Sequence, residues 1–218
     1  RRLIMSFTYA TLKTAIQDYM EDSGTTFANN LDNFIKVTEE DILKNVELNY
    51  YKKNVTGTAS SGNAYLGMPS DFLSAFSLAV ISSSVYTYLL LKHPSFIRDY
   101  TPNASTTGTP KYYADFDNDT FILAPTPDAD YSFELHYFYR PNSLTAGASD
   151  GTTYLSINAP NVLLSGCLLQ AALFMKLDQT EVGTYKQNYD KEMMQFKVWA
   201  EGRNTKEEMR YDKTRSIL

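Results

Sequence analysis

Tyr131-Ser132-Phe133-Glu134-Leu135-His136-Tyr137-Phe138-Tyr139-Arg140 is the stretch that decides the fold class. Successive side chains of an extended chain point to opposite faces, so Phe133, Leu135, Tyr137 and Tyr139 share one face and Glu134, His136, Phe138 and Arg140 the other. Two runs of strand composition precede it, residues 111–116 and 120–124, separated by a tight turn at Asp117-Asn118-Asp119 and followed by a second turn over 125–130. Three such runs in sequence predict an antiparallel meander. Further upstream, residues 48–58 read as a strand, 59–63 as its turn, 64–67 as a short partner, and 73–81 as a more apolar strand after the break at Met68-Pro69.

On both sides of this region the hydrophobic period changes from two to between three and four. Tyr9, Leu12, Ile16, Tyr19 and Met20 recur at helical spacing behind Thr8, a residue suited to capping a first turn, and Glu21-Asp22-Ser23-Gly24 ends the helix. Residues 27–46 predict a second helix with Leu31, Phe34, Ile35, Thr38, Ile42 and Leu43 on one stripe and Asp32, Lys36, Glu39, Glu40 and Lys44 facing water. After the strands, Asn158-Ala159-Pro160 supplies a cap residue and a helix-starting proline. The helix that follows, to about Leu177, is apolar nearly all round, with Val162, Leu163, Leu164, Leu168, Leu169, Leu173 and Phe174, and should be central. A last helix from Thr180 to Arg203 presents Val182, Tyr185, Tyr189, Met193, Phe196 and Trp199 or Ala200 on one side.

These periods predict an α+β fold, a discontinuous α-helical bundle with an inserted antiparallel β domain. The bundle is expected from residues 1–47 and 156–203, the insert from 48–155, and a solvated C-terminal arm from 204–218. The chain of 218 residues is long enough for a substantial core.

Hydrophobic residues at 43% and a net charge of −5 exclude wholesale disorder. An acidic chain without a basic stripe argues against direct nucleic-acid binding, which depends on Lys and Arg neutralising phosphates. No run of 18 apolar residues occurs, so no membrane span is expected. Arg1-Arg2-Leu3-Ile4-Met5 has the basic residues of a leader but neither its apolar region nor its cleavage site. The 17 tyrosines and 12 phenylalanines direct attention to interfaces, because tyrosine suits surfaces that are apolar at one end and wet at the other.

Catalytic and metal chemistry finds little support. Asp115-x-Asp117-x-Asp119 imitates the start of a calcium loop, but Thr120 stands where the loop needs glycine and Thr126 where it needs glutamate, so a hairpin turn is the reading. Cys167 is a lone cysteine on an apolar helix, which rules out an internal disulfide and reads as a buried thiol. His93, before Pro94 in a loop, and His136, within a strand, are the only histidines and both read as structural. Phosphate-binding loops, G-x-S-x-G elbows and C-x-x-C motifs are missing. No enzymatic activity and no cofactor are expected.

Four segments carry a resemblance when taken in order. They are Phe96-Ile97-Arg98-Asp99-Tyr100-x-Pro102-Asn103, Thr107-Gly108-Thr109-Pro110-Lys111-Tyr112-Tyr113-Ala114, Thr120-Phe121-Ile122-Leu123-Ala124-Pro125-Thr126-Pro127 and Glu134-Leu135-His136-Tyr137-x-Tyr139-Arg140-Pro141. Followed by Asn158-Ala159-Pro160 and the apolar helix, the set resembles the head-to-tail adaptor (connector) proteins of tailed bacteriophages, of podovirus and cyanophage type, over roughly residues 7–210.

The resemblance implies a structural virion protein at the head-tail junction, made in the host cytoplasm. It implies a homo-oligomeric ring, usually of twelve copies, between the portal protein and the tail nozzle. Genomic DNA would pass through its channel without sequence-specific binding, and no membrane would be involved. It also implies a C-terminal segment that reaches the portal. Arg203, Lys206, Arg210, Tyr211 and Arg215 are the candidate portal contacts, since Arg and Tyr are enriched among interface anchors. Phe96, Ile97 and Arg98 are candidates for contact with the next subunit or the tail, or for a plug holding their loop on the sheet. Two other classes compete: a tail-completion or terminator protein, and a carbohydrate- or ligand-binding β module built on strand-borne aromatics.

Overall fold

The computed structural model describes residues 6–46, 50–103 and 105–208, with side chains described as far as residue 202. The fold is α+β, and the chain divides into two compact units, one formed by residues 1–48 with 142–218 and one by residues 49–141.

The first unit is helical. Helix α1, Tyr9–Met20, begins at a reciprocal capping box in which Thr8 and Thr11 bond each other's backbone N–H, and it ends at Glu21 in the left-handed region with φ 51°. Helix α2, Thr25–Asn45, buries Phe27, Leu31, Phe34, Ile35, Thr38, Glu39 and Ile42. The returning chain makes a 3-10 turn at Leu144–Ala146, a short helix α3 at Tyr154–Asn158, the central helix α4 at Pro160–Phe174 and the long helix α5 at Gln179–Glu208. Every position of α4 from Val162 to Leu168 is buried, which is why it has no polar face. Around it pack Leu12, Ile16, Leu31, Ile35 and Ile42 from the N-terminal helices and Tyr189, Met193, Phe196 and Ala200 from α5.

Several details differ from the sequence reading. Asn158 does not cap α4: it closes α3, its amide donating to the Tyr154 carbonyl, and Ala159 takes the cap position without a side-chain bond. Leu173 and Phe174 at the end of α4 are exposed, although the Phe174 ring lies 5.4 Å from Phe34 and 6.2 Å from Phe27 of α2, and Tyr19 is exposed on α1. Helix α5 continues past Arg203 to Glu208, into the segment read as an arm. Residues 142–155, read as part of the insert, contribute Leu144 and Leu155 to the helical core.

The second unit is a two-sheet sandwich. Its strands are β1 (Lys52–Ala59), β2 (Tyr65–Gly67), β3 (Phe72–Ser82), β4 (Val85–Tyr88), β5 (Leu90–Leu91), β6 (Tyr112–Asp115), β7 (Thr120–Ala124) and β8 (Tyr131–Tyr139). One sheet has the order β1-β8-β3-β4 and the other β2-β7-β6-β5. Leu78, Val80, Phe133, Leu135 and Tyr137 of the first sheet share one core with Leu66, Tyr113, Phe121 and Leu123 of the second, so the sheets pack face to face.

The alternation read in residues 131–140 holds, with Tyr131, Phe133, Leu135 and Tyr137 buried. The meander does not. Strand β8 leaves β6 and β7 to lie between β1 and β3 in the other sheet, and β2 pairs with β7 rather than with β1. The residues after Pro94, read as a loop, form a helix, Pro94–Tyr100, which we call the cover helix. His93 caps it by accepting the Ser95 amide on Nδ1 at 3.2 Å. Ile97 of this helix packs with Ala114, Ile122 and Ala124 on the outer face of the second sheet.

Candidate interaction surfaces

In the strand unit an apolar surface that could hold a partner lies along one edge. The chain turns from β3 into β4 through Ser83 and Ser84, both left-handed at φ 48° and 64°, the conformation of a two-residue hairpin turn. It then runs along the rim of both sheets. Strand β4 is the edge of the first sheet and β5 the edge of the second, with Leu89 buried between them. Val85, Tyr86, Tyr88, Leu90 and Leu91 are 64%, 49%, 61%, 58% and 55% exposed, and none of the six residues of β4 and β5 carries a charge. The sequence reading passed over this stretch, although the β-branched and aromatic run Val85-Tyr86-Thr87-Tyr88 is the usual signal of a strand.

The cover helix presents a second surface. Phe96 stacks on Tyr100 with ring centroids 6.0 Å apart, both meet the Tyr112 ring edge-on at 5.1 and 4.8 Å, and Lys92 lies over Phe96 at 5.4 Å. Of the three residues singled out in this segment, Phe96 and Arg98 are exposed and Ile97 is buried at 1%. Ile97 therefore anchors the helix to its sheet, while its two neighbours face solvent.

In the helical unit, Met194 and Val198 lie one turn apart on α5 and are 70% and 63% exposed. Beside them Trp199 stacks on Phe196 at 5.7 Å and lines a cavity of about 180 Å³ with Pro160, Glu192 and Gln195. Among the portal candidates, Arg210, Tyr211 and Arg215 lie outside the described residues. Arg203 and Lys206 fall on the last turns of α5, where only the backbone is described.

Asp115 is the last residue of β6, and in the turn that follows it Asp117 accepts the Asp119 amide at 2.9 Å. No group of three His, Cys, Asp or Glu side chains is arranged to hold a metal among the described residues. His136 bonds Glu134 at 2.7 Å on the outer face of the first sheet. Burial among apolar neighbours pushes the Cys167 thiol up to about 12, far from the thiolate that nucleophilic chemistry requires. Asp71, held below the usual carboxylate range by the Lys53 ammonium 2.5 Å away, also accepts the Tyr137 hydroxyl, tying together β1, β8 and the start of β3. No helix among the described residues is long and apolar enough to cross a membrane.

Compared with known proteins, the chain finds no match among curated ones. A family model described as the SU10 adaptor protein matches residues 7–212, which takes in both units and nearly the whole sequence. The chain belongs to the SU10 adaptor protein family and is a bacteriophage adaptor protein.

Proposed function

We propose that this adaptor is the head-to-tail connector of its virion, a structural protein without catalytic activity. In this reading twelve copies form a ring between the portal and the tail nozzle, around a channel through which DNA passes without sequence-specific contact. The family match over residues 7–212 carries the reading, because it covers the helical unit and the strand unit together. The acidic net charge of −5 agrees with a channel that does not hold the phosphate backbone.

The parts divide the work. The helical unit stacks within the ring, the strand unit makes lateral or tail contacts with Phe96 and Arg98 at its surface, and the segment with Arg203, Lys206, Arg210, Tyr211 and Arg215 docks on acidic residues of the portal. The chain is made in the host cytoplasm and ends in the neck of the particle.

Heads filled with DNA from a phage lacking this gene test the proposal. Purified chain added together with free tails is expected to restore infectious particles. Full infectivity of such heads with tails alone would refute it.

A further inference from the structure

The two ends of the first sheet carry complementary rows of open backbone groups. In an antiparallel ladder the residues of one strand alternate between those bonded to a partner and those whose N–H and C=O point away from it. The Leu89 amide donates to the Leu78 carbonyl at 2.8 Å, and the register continues through Thr87 opposite Val80, so Tyr86 and Tyr88 point their backbone groups outward from β4. At the other end the Tyr139 amide donates to the Tyr51 carbonyl at 3.0 Å, and by the same alternation Thr56 and Thr58 point theirs outward from β1.

The levels of these groups agree. Ala79 stands opposite both Tyr88 and Glu134, and Glu134 opposite Thr56, so Tyr88 and Thr56 lie on one row across the sheet. Tyr86 and Thr58 share the next such row, through Ile81 and Ser132. The strand directions agree as well. Because β1, β8, β3 and β4 alternate in direction, a second copy placed beside the first without being turned over brings its β1 antiparallel to β4.

The geometry points to head-to-tail pairing of β4 of one copy with β1 of the next, Tyr88 opposite Thr56 and Tyr86 opposite Thr58, joining the sheets of neighbouring copies. The occupant is a second copy because β1 of the same fold presents its open groups at the levels and in the direction that β4 requires, and the ring proposed above sets copies side by side. A contact between two different patches also generates a ring when the rotation closes, as two-fold pairing of identical edges does not. It covers an uncharged, exposed edge of the kind that isolated proteins protect with lysine or proline. This inference rests on the ring proposed above.

The test uses the full chain. Cys167 is fully buried, so Thr58→Cys and Tyr86→Cys, which stand opposite each other on one face in this pairing, introduce the only accessible thiols. A short bis-maleimide cannot bridge the two within one chain, since three strand spacings separate them by roughly 14 Å. With portal rings present, the double variant is expected to give a ladder of dimers, trimers and larger species on a denaturing gel, and each single variant only monomer. Tyr88→Pro, which removes an outward donor, is expected to abolish the ring seen by native mass spectrometry, and Tyr88→Phe to retain it. Dimers from Tyr86→Cys alone would show β4 pairing with β4 and overturn the head-to-tail arrangement. Intact rings without a ladder, unaffected by Tyr88→Pro, would overturn the edge pairing and leave the ring standing. A ladder without a closed ring would keep the pairing and overturn the ring, and the absence of both would overturn both.

Discussion

The carboxylate of Glu39 on α2 accepts the backbone N–H of Leu144 at 3.0 and 3.3 Å, joining two residues 105 positions apart in the chain. Both are buried, and the bond fixes the segment that re-enters the helical unit against the helix that precedes the strand unit. Burial raises the Glu39 carboxyl above its ordinary value, and the bonds from Ser143 and Leu144 pull it back only part of the way. The folded chain therefore keeps this proton to higher pH than the unfolded chain does. The resulting stabilisation is fully present below the ordinary glutamate value and is lost as pH rises through the raised one. Glu39→Gln should flatten that slope and leave stability at neutral pH equal or higher. Glu39→Leu, which strands the Leu144 N–H, should fall about 1–3 kcal/mol below it. Urea unfolding of the three proteins from mildly acidic to neutral pH checks this, and an unchanged slope in Glu39→Gln would exclude Glu39 as its source.

Gly166 sets how closely α4 approaches its neighbours. A Cβ there would come within 2.4 Å of Thr38 Cγ2 and 2.8 Å of Tyr189 Cε2, and the Tyr189 hydroxyl is held by Asp41 at 2.6 Å. Gly166→Ala should gain about 1 kcal/mol of helix propensity. Overpacking at this tethered contact costs about 1–3 kcal/mol. Net destabilisation, read from the urea midpoint, is the expected result, and a more stable variant would show that α2 and α5 move apart freely.

The hairpin turn at Ser83 and Ser84 stores conformational strain, since left-handed backbone costs a non-glycine residue about 1–2 kcal/mol. Ser84→Gly should stabilise the chain by about 1 kcal/mol. A drop in melting temperature would contradict the left-handed assignment.

Charge reversal at Arg210 and Arg215 probes the proposed portal contact. The double change to Glu should weaken binding to portal rings and leave the melting temperature of the isolated chain unchanged. Undiminished binding, measured by surface plasmon resonance on immobilised portal, would move the interface elsewhere.

How much of this was legible in the sequence depended on the range of the interaction involved. The long helices were readable because their burial repeats every three to four residues, as with Leu31, Ile35 and Ile42 on α2. The alternation of Phe133, Leu135 and Tyr137 likewise marked β8. Which strands β8 joins was not readable, since pairing with β1 and β3 is decided by packing across long stretches of chain and leaves no local trace. The cover helix is a seven-residue segment too short to show a period, and its start rests on His93, read only as a loop residue. Glu39 was assigned to the water-facing side because carboxylates are rarely buried unless paired, and its partner is a backbone amide that no side-chain pattern announces. The exposed edge at residues 85–91 was the part of the surface missed outright, though its composition was that of a strand.

Native mass spectrometry of the chain, alone and mixed with the portal ring of the same phage, tests the central claim most directly. The account predicts a ladder of complexes ending near one adaptor per portal subunit, with little assembly of the chain by itself. Absence of any portal complex, together with rings on a tail-tube protein or retention of the monomer on a sugar matrix, would contradict it.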